Sequence, residues 1–204
     1  MLGTNPIAFA APGGAQPPFC LDMATSTVAV GKLKLAKLSG RQLPSGWSVD
    51  REGQPITDPE KALEIRHLTP LGALPELSSH KGYGLATMVE ILSTVLSGAC
   101  FAPLHGEMRP GQKVSDVGHF FMAIDPTFLR EEGAFEADFD ALTSALRETP
   151  SINAAFPVQV AGDPERIQAA HRRREGIPLP LEVVAMVEKL CAAAGCAFQL
   201  KETS

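Results

Sequence analysis

Three short stretches of the sequence combine hydroxyl, amide or charged side chains with glycines or predicted helix starts, where small anions are commonly bound. The first is Gly3-Thr4-Asn5-Pro6, which precedes an apolar run. The Thr4 hydroxyl and the neighbouring backbone N–H groups can together hold a carboxylate. The same tetrapeptide also forms ordinary turns, so the residues alone leave both interpretations open.

The second stretch is Asp22-Met23-Ala24-Thr25-Ser26, which we interpret as a junction between a strand and a helix. Free N–H groups and the positive end of the helix dipole make such a junction a natural anion site, and a pyrophosphate is one candidate ligand. Simple N-capping by Thr25 or Ser26 explains much of the same pattern without a ligand.

The third stretch is His80-Lys81-Gly82-Tyr83-Gly84, immediately before a strongly apolar helical pattern. Glycines on both sides of a tyrosine allow the backbone to approach a ligand closely, and the lysine supplies a charge for a phosphate or a carboxylate. The stretch lacks both the G-x-G-x-x-G fingerprint and the P-loop pattern, which argues against a Rossmann or P-loop site. A surface lysine before a helix is the alternative.

Histidine is the usual acid or base near neutral pH, and the sequence contains five. Neighbouring residues single out none of His67, His105, His119 and His171. His105 and Glu107 offer two metal ligands, but a third at a recognisable spacing is missing, so we predict no metal site.

The composition is that of an ordinary globular domain. The 204 residues are 45% apolar and 20% charged, and no apolar run reaches the roughly 20 residues of a membrane helix. The net charge of −5 argues against binding nucleic acid, and we interpret Arg172–Arg174 as a solvated helix end. We expect a soluble protein, cytoplasmic by default, whose four cysteines are reduced and mostly buried.

The predicted elements alternate between strands and helices. Strands are expected at residues 7–10 and 19–21, and a helix from about Thr25 to Gly40. Residues 44–75 are rich in proline and glycine and are expected to form a surface excursion with little regular structure. A core helix over residues 85–96 follows, and a buried strand over residues 118–124 comes after a loop at 103–115.

The C-terminal third is predicted to be mainly helical. Phe135, Phe139, Leu142 and Leu146 recur at helical spacing. A second helix is expected to begin with Asp163 as N-cap and Pro164 in its first turn and to end near Gly176, and a third to cover residues 180–195. A final strand is expected at residues 196–200.

Eight motifs in this order resemble the malate/L-lactate dehydrogenase-like family. That family includes malate, lactate, sulfolactate and ureidoglycolate dehydrogenases and the piperideine/pyrroline-2-carboxylate reductases. The motifs are Gly-Thr-Asn-Pro-Ile-Ala (3–8), Leu-Asp-Met-Ala-Thr-Ser (21–26), Gly-Lys (31–32), Pro-Ser-Gly-Trp (44–47), Thr-Asp-Pro (57–59), His-Lys-Gly-Tyr-Gly-Leu (80–85), Val-Gly-His-Phe-Phe-Met-Ala-Ile-Asp-Pro (117–126) and Arg-Glu-Gly-Ile-Pro-Leu (174–179).

The resemblance implies an α/β, non-Rossmann nicotinamide-binding fold with a large mixed, mostly antiparallel sheet flanked by helices. It implies a single domain over residues 1–204, a homodimer, NAD or NADP as cofactor, and hydride transfer at C2 of a small 2-oxo or 2-hydroxy acid. A cyclic imino acid is the alternative substrate. No nucleic-acid or membrane partner is expected.

The resemblance also assigns site residues. Thr4 resembles the threonine that holds the substrate carboxylate, and Asp22 is implied to lie near the catalytic histidine. Gly162-Asp163-Pro164-Glu165-Arg166 corresponds to the loop and helix start that meets the cofactor phosphates, although the family usually has Pro-Gly-Glu-Arg there. The other implied cofactor contacts are Asp22, Met23, Ala24, Thr25, His80 and Lys81.

One departure from the family pattern concerns the acid/base. Family members carry a further stretch before Gly-Thr-Asn-Pro, which holds the catalytic Ser-His pair and a substrate-binding arginine, whereas here Met1 stands two residues before that motif. The resemblance therefore implies the C-terminal part of such an enzyme, completed by a separately encoded piece. A cofactor-binding or dimerising module without turnover is the alternative.

Overall fold

The computed structural model describes residues 2–100 and 116–200. The chain forms two compact units: Met1–Ala11 with Cys20–Phe135, and Pro12–Phe19 with Glu136–Ser204. Helices and a small sheet are both present, which agrees with the predicted α/β class.

Strands β1 (Ile7–Ala11) and β2 (Phe19–Met23) pair in a two-stranded sheet, as predicted. The connection of seven residues between them is too short for a parallel crossover, so the pair is an antiparallel hairpin. In the described residues this is the extent of the sheet, and a larger mixed sheet is not seen there.

Helix α1 (Val30–Leu38) begins five residues later than predicted. Residues 25–27 instead run beside residues 69–71, where the Thr27 N–H donates to the Thr69 carbonyl at 2.8 Å and Ser26 bridges to Pro70. The hydroxyl residues at the expected helix start are therefore used in strand-like pairing. That pairing explains why the predicted start at Thr25 is wrong.

Helix α2 (Pro59–Ile65) lies inside the region that was expected to have little regular structure, so that expectation is wrong for these residues. The Asp58 carboxylate caps it by accepting from the N–H groups of Glu60 at 2.8 Å and Lys61 at 3.4 Å, and Pro59 occupies the first turn. Helices α1 and α2 pack together around one apolar cluster. Its buried members are Leu33, Ala36, Leu43, Ile56 and Ala62.

Helix α3 (Ser79–Glu90) begins six residues before the predicted start and continues into a wide π turn at Ile91–Val95. Its buried face consists of Gly82, Ala86 and Glu90, spaced four residues apart. Most of the long apolar side chains are exposed, while Val89 and Leu92 are half-buried, so the prediction of a core helix is wrong. These exposed side chains include Leu85, Met88, Ile91, Val95 and Leu96.

Residues 116–125 form no strand, and residues 119–125 are exposed, so the prediction of a buried strand at 118–124 is wrong. A strand requires a neighbour that pairs with its backbone, and in the described residues no such neighbour is present. Gly118 is held close to the π turn, because a methyl group there would lie 1.7 Å from the Ser93 carbonyl oxygen. The loop predicted at 103–115 lies outside the described residues.

The remaining helices agree with prediction within one or two residues. They are α4 (Ala134–Glu148), α5 (Asp163–Glu175) and α6 (Leu181–Ala194). Asp163 is the first residue of α5, and Gly162, with φ of 100°, is the N-cap. The chain is irregular over 196–200, so the predicted final strand is wrong. A strand there lacks a pairing partner among the described residues.

The four cysteines are free thiols, as expected, but they are not mostly buried, as had been predicted. Cys100 is buried and Cys191 half-buried, whereas Cys20 and Cys196 are exposed. Among the described residues, no helix is both long enough and apolar enough to cross a bilayer.

Candidate functional site

The turn that carries Thr4 is fastened to the residues that follow β2. The Thr4 carbonyl oxygen accepts two hydrogen bonds from Thr25, one from the backbone N–H at 2.9 Å and one from the hydroxyl at 3.2 Å. Thr25 is fully buried, whereas Thr4 is half-buried. The first two candidate stretches therefore meet, and Thr25 has a structural role in holding the Thr4 backbone.

The third stretch is connected to Thr25 of the second stretch through Leu71. The Leu71 N–H donates to the Thr25 carbonyl at 2.8 Å. On the other side of Leu71 lies Gly82, where an added methyl group would stand 2.1 Å from the Leu71 carbonyl oxygen and 2.5 Å from its nitrogen. Only glycine fits at that distance, so α3 crosses this backbone in direct contact. All three stretches predicted in the first unit are thus brought together.

Asn5 links the Thr4 turn to the opposite end of α3. Its side-chain amide donates to the Ala86 carbonyl at 2.9 Å and to a carboxylate oxygen of Glu90 at 2.7 Å. Its backbone lies in the left-handed region, with φ of 34°. Sequence reasoning did not single out Asn5 or Glu90, because their partners are more than eighty residues apart in the chain.

The predicted cofactor residues after β2 are placed differently from the expectation. Asp22 is exposed on β2, Met23 is the last residue of that strand, and both Met23 and Ala24 are half-buried. No helix begins within residues 22–26, so the expected dipole and free N–H groups are absent from this part of the described chain. Within residues 22–26, Asp22 is the one exposed side chain.

His80 and Lys81 lie within the first turn of α3 rather than before it. Both are exposed, while Gly82 next to them is buried. This is the positive end of the helix dipole, where an anion is favoured. The helix start predicted at residues 22–26 is a separate feature, since that helix begins only at Val30.

In the second unit, Asp163 is a buried carboxylate shared by two arginines. Arg147 holds it with two parallel hydrogen bonds of 2.9 and 3.0 Å, Arg166 adds one of 2.5 Å, and the Val160 N–H donates at 2.9 Å. The Arg147 guanidinium, followed by the Val160 N–H and Arg166, holds the pKa of Asp163 far below its usual range. The Asp163 carboxylate is therefore occupied by these internal contacts, which hold the loop before α5 in place.

The loop of the β1–β2 hairpin is anchored in the same unit. The Asp140 carboxylate accepts from the N–H groups of Gly14, Ala15 and Gln16 at 3.1, 2.6 and 3.1 Å. These bonds, that from Ala15 foremost, lower the pKa of Asp140. Arg147 completes the anchor by donating to the Gln16 side chain at 2.8 Å.

A surface cavity of about 400 Å³ follows one side of α5. It is lined by residues from the first three turns of that helix: Pro164, Glu165, Gln168, Ala169 and Arg172. Pro164 and Glu165 belong to the stretch that the sequence predicted as a cofactor contact. Arg166 beside them is also exposed, although one of its nitrogens is bound to Asp163.

The other histidines show no catalytic arrangement in the part of the chain that the structure describes. His67, His119 and His171 are exposed, and the His119 ring stacks on Phe121 at 6.1 Å. Among the described residues, no three His, Cys, Asp or Glu side chains come close enough to hold a metal ion. His105 and Glu107 lie outside the described residues.

The sequence profile described as malate/L-lactate dehydrogenase matches residues 1–188. The chain belongs to this family. Malate dehydrogenase from Pyrococcus horikoshii is 35% identical over 196 residues, which are 96% of this chain and 54% of the relative. A Delta(1)-pyrroline-2-carboxylate/Delta(1)-piperideine-2-carboxylate reductase from Pseudomonas putida is 42% identical over 127 residues, 62% of this chain and 36% of the relative.

Solved structures of the malate/L-lactate dehydrogenase family give the same result. The crystal structure of malate dehydrogenase from Entamoeba histolytica matches with a TM-score of 0.86 and 30% identity, over 97% of this chain and 56% of that one. The chain thus spans about half the length of the relatives it matches. Every candidate site residue, from Thr4 to Arg166, lies inside the matched region.

Proposed function

We propose that this chain supplies the cofactor-binding and substrate-binding part of an NAD- or NADP-dependent oxidoreductase. The reaction is hydride transfer between the nicotinamide and C2 of a small 2-oxo acid of the malate or lactate type. The observation that carries the proposal is the meeting of Thr4, Thr25 and Gly82 within one unit of a chain that belongs to the malate/L-lactate dehydrogenase family.

In this proposal Thr4 binds the substrate carboxylate through its hydroxyl. The fastening of its carbonyl oxygen by Thr25 supports this role, because a preorganised donor binds with a smaller entropy cost. Asp22 is proposed to face the catalytic acid/base, and Asp22, Met23 and Ala24 to line the cofactor, with the buried Thr25 holding the Thr4 turn behind them.

The residues of the two helix starts suit an anionic dinucleotide. His80 and Lys81 are exposed in the first turn of α3, and Arg166 is exposed in the first turn of α5. A cation at the positive end of a helix dipole favours phosphate. We propose that His80 and Lys81 contact polar groups of the cofactor. The segment 162–166 of the second unit is proposed separately, from the family resemblance, as a contact for cofactor phosphates. The bound nicotinamide supplies the hydride, and the protein supplies orientation and electrostatics.

The proton donor is proposed to come from polypeptide outside these 204 residues, of the kind that accounts for the rest of the relatives' length. The same polypeptide would enlarge the two-stranded sheet into the mixed, non-Rossmann sheet that the family resemblance implies. Residues 119–124 support this proposal, because they are exposed and belong to no strand among the described residues. A single domain over residues 1–204 and a homodimer in the cytoplasm remain part of the proposal.

A second candidate is reduction of a cyclic imino acid. It is favoured by the similarity to the Pseudomonas putida reductase, which is 42% identical over 127 residues. The Pyrococcus enzyme is 35% identical over 196 residues. The two candidates differ only in the group at C2, which is an oxygen in one and a ring nitrogen in the other. Thr4 and the cofactor residues would act in the same way in both.

The test measures oxidation of NADH and NADPH with pyruvate, oxaloacetate and piperideine-2-carboxylate. The full chain is assayed alone and together with a polypeptide that carries a Ser-His-Gly segment, encoded upstream. The proposal expects turnover with one of these acids in the mixture. Turnover only with piperideine-2-carboxylate would establish the second candidate, and nucleotide binding without turnover in either sample would indicate an inactive cofactor-binding module.

A matched pair of lysine variants tests the cofactor site itself. Lys81→Ala removes the exposed cation from the α3 start, whereas Lys34→Ala removes an exposed lysine from α1. We expect Lys81→Ala to raise the Kd for NADPH or NADH by about threefold to tenfold, since one exposed phosphate contact is worth up to about 1.4 kcal/mol. Equal Kd values for the two variants would contradict the assignment of Lys81.

A further inference from the structure

Asn5 adopts a backbone conformation that its neighbours disfavour. Its φ of 34° lies in the left-handed region, and the residue after it is Pro6, which disfavours helical conformations in the residue before it. Asparagine tolerates the left-handed region better than most residues, but the position still requires compensation. The compensation must come from contacts of the Asn5 side chain.

Those contacts use both hydrogens of the Asn5 amide group. One goes to the Ala86 carbonyl at 2.9 Å and the other to the Glu90 carboxylate at 2.7 Å. Glu90 is only 9% exposed, so this is a charge-assisted hydrogen bond in a largely dry environment. Both acceptors belong to the buried face of α3.

The result is that Thr4 is held from two directions. Its carbonyl is fixed by Thr25, and the residue after it is fixed to α3 by Asn5. The same helix carries His80 and Lys81 at its other end. The Asn5–Glu90 contact is therefore a direct mechanical link between the residue assigned to the substrate and the helix assigned to the cofactor.

We propose that Asn5 and Glu90 are positioning residues that fix the Thr4 hydroxyl relative to α3 and thereby set the affinity for the substrate carboxylate. The proposal rests on the function proposed above for Thr4. It predicts that substrate affinity depends on the donor–acceptor match between residues 5 and 90, while affinity for the nucleotide does not.

Four variants of the full chain separate the hydrogen bonds from the backbone. Asn5→Gly keeps the left-handed conformation and removes the amide. Asn5→Asp keeps the size but sets a carboxylate against Glu90, and Asn5→Asp with Glu90→Gln restores the pair with the donor and acceptor exchanged. Asn153→Asp is the matched control, because Asn153 is exposed and its side-chain oxygen accepts from the Ala155 N–H, which an aspartate can also do.

Two measurements are made on each variant. The first is the Kd for pyruvate in the presence of NADPH or NADH, together with the Kd for the nucleotide alone. The second is hydrogen exchange of the Thr25 amide, which donates to Thr4, with the Ile56 amide as a reference in the same unit because it donates to Ser48. Loss of protection at Ile56 would show that a variant has unfolded. If Asn5→Asp unfolds, Asn5→Gly provides the test.

We expect the pyruvate Kd to rise about tenfold or more in Asn5→Asp, since a charge-assisted bond is replaced by repulsion, and less in Asn5→Gly. The double variant should recover part of the loss, and the nucleotide Kd should change by less than about twofold. The Thr25 amide should lose protection in Asn5→Asp and regain it in the double variant, with Ile56 unchanged.

The outcomes distinguish this inference from the function on which it rests. Unchanged Thr25 protection in Asn5→Asp and Asn5→Gly overturns the inference, whatever the chain binds. A pyruvate Kd that is the same in all variants also overturns it. If the wild-type chain binds no pyruvate, but Thr25 protection is lost and regained as described, the function proposed for Thr4 fails and the link between the turn and α3 stands.

Discussion

Asp163 shows how a residue inside a family motif can have a structural role. Its carboxylate was expected to cap α5 and contact the cofactor, but it is turned towards Arg147, Arg166 and the Val160 N–H. Two guanidinium groups face this one carboxylate, but Glu165 in the same turn offsets the second cation, so the formal charges of the four side chains cancel. An anionic ligand would meet the exposed side of Arg166 rather than Asp163.

Arg147→Ala should destabilise the second unit. Asp163 would lose its bidentate partner while remaining buried, with side-chain exposures of 22% for Arg147 and 9% for Asp163. Since Arg166 would still pair with it, we expect a loss of about 2 to 3 kcal/mol in the free energy of unfolding, at the lower end for a broken buried ion pair. Urea unfolding measures it. The exposed pair of Arg174 and Glu175 gives the control, because Arg174→Ala should cause little change, and an equal loss in both would contradict the prediction.

The low pKa of Asp163 predicts how stability depends on pH. A carboxyl whose pKa is lower in the folded than in the unfolded protein stabilises the fold above its unfolded pKa, about 3.9. That stabilisation is lost as the pH falls towards the folded pKa. The wild type should therefore be more stable than Asp163→Asn at pH 7, and the difference should shrink below about pH 4. Unfolding curves across this range test it, and a constant difference would show that the charge is not the cause.

The residues around Asp163 also show what sequence reasoning can reach at this scale. The motif identified the segment 162–166 because its residues are adjacent. Arg147 and Asp140 were not predicted, because Asp140 lies 124 to 126 residues from the N–H groups that it accepts from and Arg147 lies 131 residues from Gln16. The contacts of the Asn5 side chain were not predicted either, because their partners lie more than eighty residues away. Hydrogen bonds between such distant residues depend on how the elements pack, and a local pattern does not encode that packing.

At the scale of elements, capping signals located α5 and apolar spacing located α4, whereas the apolar pattern misplaced the start and the burial of α3. Asp163-Pro164 and Gly176 marked α5 to within one residue, and Asp58-Pro59 carries the same signal for α2, although the high content of proline and glycine around it led to the prediction of a loop. Helix α3 begins before its apolar pattern does, and Gly82 in its first turn packs closely on Leu71. The same apolar pattern predicted that the large apolar side chains would be buried, whereas the buried face of α3 consists of Gly82, Ala86 and Glu90.

Two glycines of α3 form a matched pair. Gly82→Ala places a methyl group 2.1 Å from the Leu71 carbonyl oxygen, whereas around Gly84 an added methyl group would meet nothing within 4 Å. We expect Gly82→Ala to cost about 3 kcal/mol or more, because backbone must shift, and Gly84→Ala to gain about 0.5 to 1 kcal/mol from helix propensity. Thermal unfolding distinguishes them. A stable Gly82→Ala variant would mean that α3 does not pack on Leu71.

The cap of α2 offers a smaller test. Asp58→Ala removes the acceptor for two N–H groups of the first turn and should cost about 1 kcal/mol in the free energy of unfolding. Asp58→Asn keeps an acceptor oxygen and should be nearly neutral. Chemical unfolding of both variants is the measurement, and similar losses would assign the effect to charge rather than to capping.

At the scale of the whole molecule, the chain leaves much apolar surface uncovered in both units. In the first, Phe121 and Met122 are 88% and 72% exposed, and in the second, Leu181 of α6 is 81% exposed. Burying one such side chain contributes about 1.5 to 3 kcal/mol. The α/β class was predicted from the sequence, but the extent of the sheet and the burial of α3 were not, because both depend on what covers these surfaces.

We therefore expect the isolated chain to associate in solution. Light scattering should show species heavier than the monomer, and replacing Phe121 and Met122 with serine should lower their proportion. Replacing exposed Lys61 and Glu64 on α2 with serine is the control, because those side chains are already polar. A sharp, monodisperse monomer for the wild type would count against the prediction.

The exposure of Cys20 and Cys196 has a practical consequence. One of these thiols belongs to each unit, while Cys100 is buried and Cys191 only half-accessible. Maleimide dyes would react first at these two positions and give a donor–acceptor pair for energy transfer without introducing new cysteines. Titrating such a labelled sample with nucleotide would register any change in the separation of the two units as ligand binds.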